Sequence, residues 1–534
     1  MTLKPPRIGL ALVLAAAACL LFFRLGGYVL WDDEAAQALL AEQVWHTGDT
    51  SAVIGRNIVA YNQGAELRGL HDRANPPLPA YVLAPFLGLG GSNAFWARLP
   101  SALCGLAFFA LLLQWLAAEV TDPPTLVLFC LALLGNVSLF LYFREARYYG
   151  IVLLCSLGIA RLYFSRPRTP GKMVGISLLL ACVLASHYMT YVAIGAVLAV
   201  DYFCWHSRAG RLTPDEWRAL LLPQSIVGLF VASTWNPFLL RVGGDEFANS
   251  FRERLELFWW NLRDLNRNEF GPGVLLLLAV GLAVCGPAGS LLRRGCVALG
   301  VYCGVLALVS PKVVRLSPPF ADVRYLLPLL PLYVALAVWT LRRAVGRRVW
   351  LAVLAGGLAF GTNLLNFGPL LPEGFRSTLW AYVGELRERS LGSYGYTAGW
   401  MRENMPPGAS VWVSPSYAVY PLLFQDREFV YAWQLHFPPE RQFADLDPIN
   451  FFGRLPPDYV VAFGPYRPGA EALMANGRNL GFDYQPVAVI RRYWDAVHRP
   501  ELTDHQFRTY RNFDPSREAI YIYRRMDHLP AGER

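Results

Sequence analysis

Apolar stretches of about the length needed to cross a bilayer recur along the chain, and short basic clusters separate them. A membrane helix takes about 20 predominantly apolar residues. On this measure eleven spans are expected, at residues 8–25, 98–117, 124–142, 148–164, 173–187, 190–205, 219–240, 273–290, 295–310, 323–340 and 349–368. The run from 173 to 205 is too long for one helix, and Ser186-His187-Tyr188 divides it. Lys4 and Arg7 before the run Ile8 to Phe23 resemble a signal peptide. Leu25-Gly26-Gly27-Tyr28 is a poor cleavage site, so an uncleaved first helix is expected.

Two polar intervals are long. In the first, residues 28–97, the stretches Glu34 to His46 and Leu78 to Leu89 read as short helices lying in the membrane interface. In the second, residues 241–271, Phe247, Phe251, Leu255, Phe258, Trp259 and Leu262 recur at helical spacing, another interfacial stripe. Beyond about residue 370 the pattern changes. A helix-like Leu391–Asn404 precedes short β-like runs at Ser410–Val413, Tyr459–Ala462, Val487–Ile490 and Ile520–Tyr523, with Pro- and Gly-rich turns between them. The expected fold class is therefore mainly α: a polytopic membrane module (1–369) followed by a small extracytoplasmic α/β domain (370–534).

Charge gives this pattern a direction. Arg166, Arg168 and Lys172, then Arg208, Arg211 and Arg218, then Arg293 and Arg294, then Arg342, Arg343, Arg347 and Arg348 all fall in alternate interhelical segments. The positive-inside rule puts those segments and the N-terminus in the cytoplasm, and an odd number of spans then puts the C-terminal domain outside. Only 16% of residues are charged, against about 25% in soluble domains, which excludes an ordinary soluble protein. The net charge of +9 is spread over those orientation clusters, which suits lipid headgroups and phosphate and argues against nucleic acid. The near-exclusive use of Arg over Lys suggests a GC-rich, bacterial genome and hence an inner (plasma) membrane. The nine cysteines all lie in or beside apolar runs without a CxxC pair, so neither a zinc site nor a disulfide framework is expected.

Candidate chemistry collects on the outer face. Asp32, Asp33 and Glu34 follow the first span directly. Acids there could simply favour a helix N-terminus, but other ionisable residues accumulate at outer span ends, where they mark functional sites by default. They are His71 and Arg73 before Asn75-Pro76-Pro77-Leu78, Arg98, Glu145-Ala146-Arg147-Tyr148, His187-Tyr188, Trp235-Asn236-Pro237, Lys312, Arg315, and Asp322-Val323-Arg324-Tyr325. Each arginine alone could merely snorkel to the interface. Gly88-Leu89-Gly90-Gly91 lacks the Gly-Lys-Ser/Thr of a P-loop and reads as a loop, so no nucleotide site is expected. Trp412, Tyr417, Tyr420, Tyr431 and Trp433 could stack on sugars or form the core of the small domain.

The acidic pair after the first helix, a Pro-Pro-Leu element, an Arg opening the second helix, Glu-Ala-Arg-Tyr and a late Arg-Tyr-Leu-Leu-Pro occur in an order that resembles the GT-C glycosyltransferases. The similarity is to the branch of protein O-mannosyltransferases and lipid A aminoarabinose transferases. It implies an inverting glycosyltransferase that takes a sugar from a polyprenyl-monophosphate donor to a lipid, glycan or protein acceptor at the outer face. By the same resemblance Asp33 is the catalytic base or positions the acceptor, with Glu34 beside it and Asp32 as an extra acid that leaves the register open by one. Arg73, Arg147, Arg315, Arg324 and Lys312 would hold the donor phosphate; His71, Asn75, Arg98, Glu145, Tyr148, His187, Tyr188 and Tyr325 would contact substrate. Asn75 stands where the aminoarabinose branch has Lys, and that branch's full acidic metal site has no match, so no cofactor is implied with certainty and a divalent cation stays open. The alternatives are a lipid-linked-sugar flippase, which should show internal repeats and broken helices with mid-membrane charge, and a polymerase or ligase with a diphosphate donor. The sequence shows neither repeats nor broken helices. Reporter fusions after Arg348 should read cytoplasmic and fusions after Pro407 external; the same side for both would sink the eleven-span topology.

Overall fold

A computed structural model describes residues 5–55, 57–59, 67–236, 249–265, 272–287, 289–316, 323–365, 375, 377–387, 391–430, 456–475, 483–491 and 519–526. Phe247, Pro237, Asp322, Tyr431 and Trp433 from the sequence expectations lie outside this set. The chain opens with helix α1 (Pro5–Phe22), then α2 (Asp32–Thr47). Two minimal hairpins follow, β1 (Val53–Ile54) with β2 (Asn57–Ile58) and β3 (Leu67–Arg68) with β4 (His71–Asp72). Then come α3 (Leu78–Gly90), α4 (Ala94–Glu119), α5 (Pro123–Gly135), α6 (Val137–Phe143), α7 (Tyr149–Phe164), α8 (Pro170–Leu184), α9 (Tyr188–Cys204) and α10 (Pro214–Thr234). The helical part closes with α11 (Phe251–Asp264), α12 (Gly273–Cys285), α13 (Leu291–Val309), α14 (Leu330–Val345) and α15 (Val349–Gly361).

Helix occurs within every expected span. By length and composition, though, three helices among the described residues suffice to cross a membrane: Ala94–Glu119, Leu291–Val309 and Arg324–Val345. A bent pair makes a fourth, because α5 and α6 meet at 51° around Asn136. That bend corrects the expectation of unbroken helices. Its cause is local: the Asn136 side chain accepts from the backbone N–H of Leu139 and caps α6, so one ladder stops and another starts.

The short helices expected in the two long polar intervals form as α2, α3 and α11. On α11, Phe251, Leu255 and Trp259 project outward and form an exposed apolar stripe, while Leu257 and Trp260 face inward. One expectation is corrected: Gly88 and Gly90 belong to the end of α3, not to a loop. A Cβ at either position would meet the indole of Trp45 or Trp96 at 2.1 Å, so the missing side chains make room for close ring packing.

The C-terminal part contains α16 (Thr378–Arg387), α17 (Gly392–Asn404), β5 (Ser410–Ser414), α18 (Val419–Leu423), β6 (Glu428–Val430), β7 (Tyr459–Phe463), α19 (Arg467–Ala475), β8 (Tyr484–Ile490) and β9 (Ile520–Arg525). The sheet order is β6-β5-β7-β9-β8; β5 is parallel to both neighbours, and β9 is antiparallel to both of its own. Side chains alternate between the faces, as a strand requires. Val411, Val413, Val461, Ile520 and Ile522 face one layer, and Trp412, Val460, Ala462 and Tyr523 face Ala470 and Met474 of α19. The first layer is shared with the loop after α1: Leu30, Trp31, Ala35, Leu39, Ile54, Leu83 and Ala97 pack in the same cluster as Tyr394, Met401 and the strands. Tyr420 is a core residue of that layer, and Trp412 of the opposite one.

Asn57 fastens the two parts at the sheet edge. Its amide nitrogen donates to the Arg427 carbonyl at 3.0 Å, and its oxygen accepts from the Phe429 N–H at 2.6 Å, completing the free edge of β6. Asn57→Ala leaves both backbone groups buried and unsatisfied, at a cost of about 1–3 kcal/mol. The variant should melt lower in detergent and expose the C-terminal part to limited proteolysis; an unchanged melt and digest would show that this edge contact does not hold the parts together.

Candidate active site

The turn after α1 is built by two buried arginines. A helix end inside a membrane protein leaves carbonyls without partners. Arg144 meets that need: its guanidinium donates to the carbonyls of Leu20, Leu21 and Phe23 at 3.0, 2.8 and 2.9 Å and to that of Arg24 at 3.3 Å. Arg98, fully buried on α4, donates to the carbonyls of Leu25, Tyr28 and Val29 at 3.0–3.2 Å. Its counter-charge is Glu34, also fully buried, through a two-pronged pair at 2.8 and 2.7 Å. Glu34 further accepts from the N–H of Ala146 at 2.7 Å and of Trp31 at 3.2 Å. Every carboxylate lone-pair direction of Glu34 is thus occupied by the protein. Glu145 is buried close enough to Arg98 to add to the charge balance.

This framework sets Asp33, one residue earlier, on the other side of the α2 N-terminus. Its Oδ2 lies 3.0 Å from Arg147 and 2.9 Å from Arg324, and Arg147 also donates to the Asp33 carbonyl at 3.0 Å. The three side chains remain partly accessible, at 23%, 17% and 14%. Two guanidiniums thus converge on one carboxylate oxygen. An aromatic wall flanks it: Tyr148 stacks on His187 with ring centroids 4.4 Å apart, and His187 stacks on Tyr325 at 4.9 Å. Arg147 and Arg324 lie against the rings of Tyr148 and Tyr325. Residues 33, 147–148, 187 and 324–325 come from four separate segments of the chain, and the fold brings them into one cluster.

Asp32 points elsewhere, accepting from the N–H of Ala418 at 2.7 Å in the C-terminal part. A second polar cluster surrounds the Pro-Pro element. Arg73 pairs with Asp49 through both nitrogens at 2.7 and 2.6 Å and donates to Thr50 at 2.9 Å. Arg73 holds the Asp49 carboxyl down at about 2. Asp72 is buried, which pushes its carboxyl up, and it accepts from the N–H groups of Ala74 and Asn75 and from the Asn75 amide at 2.7–3.0 Å. These bonds shape the turn that presents Asn75-Pro76-Pro77. His71 lies 3.6 Å from Asp49. The Arg73 carbonyl accepts from Asn236 N–H and the Ala185 carbonyl from Leu78 N–H, so three outer segments meet here. The hydroxyls of Ser186 and Tyr188 and the Trp235 indole N–H are buried and make no hydrogen bond.

Two candidates stand apart. Arg315 is committed to Glu253 of α11 at 2.7 Å, and Lys312 lies over the Trp260 ring. Sequence reasoning missed Asp49 and Thr50, which follow a helix-ending Gly48 and carry no motif; only the return of the chain to Arg73 shows their part. Among the described residues no group of three or more His, Cys, Asp or Glu could hold a metal ion.

No family model matches the chain, and no curated protein sequence matches it. Solved structures do. ArnT from Cupriavidus metallidurans bound to undecaprenyl phosphate is 16% identical with a TM-score of 0.55, over 96% of this chain and 97% of that one. The apo form of the same protein gives 16% and 0.48 over 97% and 98%. The mycobacterial arabinofuranosyltransferase AftD gives 15% and 0.39 over 98% of this chain and 40% of that one. The undecaprenyl-phosphate-bound structure shows that this chain has the ArnT fold along essentially its whole length, as the order of its outer motifs implied.

The two neighbouring acids should behave oppositely. Glu34→Gln leaves the Arg98 charge buried without its counter-ion, a loss of about 3–5 kcal/mol. That variant should fail to accumulate or melt far below wild type, whereas Asp33→Asn should fold. Equal melting temperatures for the two would contradict the structural assignment of Glu34.

Proposed function

We propose that the chain is an inverting membrane glycosyltransferase, transferring a sugar from a polyprenyl-monophosphate donor to a lipid, glycan or protein hydroxyl at the outer face of a bacterial inner membrane. The carrying observation is Asp33 held between Arg147 and Arg324 beside an aromatic wall. The fold supports it, since the ArnT neighbour was solved with undecaprenyl phosphate. In this reading the eleven-helix topology stands, with the N-terminus inside and the C-terminal part outside. That places the donor's headgroup at the cluster and its prenyl tail in lipid.

The chemistry follows from charge. An arriving donor phosphate competes with Asp33 for the arginine forks, which suit phosphate oxygens. As the guanidiniums turn to phosphate, the Asp33 carboxylate is released from its ion pairs and becomes a better proton acceptor. The acceptor oxygen attacks the anomeric carbon opposite the phosphate, its proton passes to Asp33, and the carbon–oxygen bond to phosphate breaks. The leaving polyprenyl phosphate carries the developing charge into the arginines. Attack from the opposite side inverts the anomeric centre. The Asp72-organised turn and the unpartnered Ser186, Tyr188 and Trp235 groups would then meet the acceptor or the sugar. The α5–α6 bend gives a lipid-linked-sugar flippase some footing, and a diphosphate donor would also meet arginine. Parallel assays with synthetic monophosphate and diphosphate donors separate these: transfer from the monophosphate alone supports the proposal, and none from either donor counts against it.

Asp33→Asn should lower the transfer rate by about 10²–10⁴-fold while donor binding persists, because the amide cannot take the proton. Arg147→Ala and Arg324→Ala should each weaken donor use by about tenfold to a hundredfold, the loss of one charged hydrogen bond. Near-normal kinetics in Asp33→Asn would remove the base, and unchanged donor dependence in both arginine variants would remove the phosphate site.

A further inference from the structure

The opposite ends of α7, α9 and α13 carry a second polar cluster that the transfer chemistry does not use. α7 and α9 both begin at the Asp33 cluster, after Tyr148 and His187, so their C-termini lie at the other end of the helices. There Asp201 takes a two-pronged pair from Arg294 at 2.8 and 2.7 Å and a hydrogen bond from the Tyr163 hydroxyl at 2.8 Å. That carboxylate is fully engaged. His206 packs on the Tyr163 ring at 4.5 Å and is itself only 6% exposed. Its Nε2 is buried and makes no hydrogen bond, a costly state for an imidazole nitrogen. Burial first, and then the charges of Arg166 and Arg168 on the α7–α8 turn, hold the imidazole down at about 4 and therefore neutral at pH 7. Among the described residues no carboxylate lies within ion-pair distance of Arg166 or Arg168. Phe164, with Arg294 over its ring, and Phe203 are 46% and 67% exposed at the C-terminal ends of α7 and α9.

We propose that Arg166, Arg168 and the Nε2–H of His206 form a binding site for the phosphate of an anionic phospholipid in the leaflet opposite the Asp33 cluster. Phosphoryl oxygens would accept from two guanidiniums and the unpartnered imidazole N–H, the acyl chains would lie along Phe164 and Phe203, and the Asp201–Arg294 pair would hold α9 and α13 in place beneath. Basic pockets between membrane helices recognise headgroups in this way. The site is independent of the transferase reading, so its test does not measure transfer. The full-length protein in detergent is titrated with phosphatidylglycerol or phosphatidylcholine, and bound lipid is counted by native mass spectrometry. Wild type should retain phosphatidylglycerol preferentially. Arg166→Gln with Arg168→Gln should weaken that binding about tenfold to thirtyfold, and His206→Leu, a second route if the double variant does not fold, should weaken it severalfold. Arg347→Gln with Arg348→Gln removes the same charge from the α14–α15 turn at the same membrane side and should leave the preference intact. Equal loss in that control, or equal retention of the two lipids by wild type, overturns the site. Full competition by millimolar inorganic phosphate would assign the site to free phosphate and overturn the lipid proposal.

Discussion

The buried pair of Glu34 with Arg98 is the constraint on which the candidate active site depends. Arg98 holds the chain leaving α1 by its carbonyls, and Glu34 holds the Glu145-Ala146 turn by a backbone N–H. One ion pair thereby joins the end of α1, the start of α2, the start of α4 and the turn before α7. A buried pair of this kind contributes little net stability compared with apolar packing, but breaking it is costly. Its effect is positional. Because Glu34 is fixed at the first turn of α2, Asp33 has one place to go, against Arg147 and Arg324.

That arrangement separates structural charge from exchangeable charge within four residues. Glu34 is sealed and saturated by protein donors, while Asp33 is accessible and held by groups that a phosphate could claim. Asp32 turns to the backbone of Ala418 and ties the same helix start to the C-terminal part. The shared apolar layer between the first outer loop and the C-terminal sheet reinforces the tie, with Trp31 and Leu30 in the same cluster as Val461 and Ile522. The small sheet is thus packed against the element that bears Asp33.

Electrostatics also divides the molecule along the helix axes. One end gathers Asp33, Arg147, Arg324 and the Tyr148–His187–Tyr325 stack. The other carries the locked Asp201–Arg294 pair, with Arg166 and Arg168 on the α7–α8 turn. In the proposed reading both ends would offer arginine to phosphate, and the first would do so beside an accessible carboxylate, which is why the transfer chemistry is assigned there.

Much of this was legible from the chain alone, because periodicity and charge are local. Apolar length located the helices, and short β-like runs located β5, β7, β8 and β9. The candidate acids and arginines were legible as a set, since charge at span ends is costly without a use. Their division was not. Nothing in Asp32-Asp33-Glu34 says which acid is buried, which bridges to the C-terminal part and which stays accessible; that follows from where Arg98, Ala418, Arg147 and Arg324 arrive in space. Likewise Arg315 looked equivalent to Arg324 until Glu253 claimed it, and Asp49 carried no signal until Arg73 folded back onto it. β6 is three residues long and is defined by its neighbour β5 and the Asn57 side chain, not by its own pattern. The sequence by itself determined where the apolar helices lie and which charged residues flank them, because those depend on residue type and spacing. Only the tertiary structure decided which charge neutralises which, because ion pairing depends on distances between segments far apart in the chain.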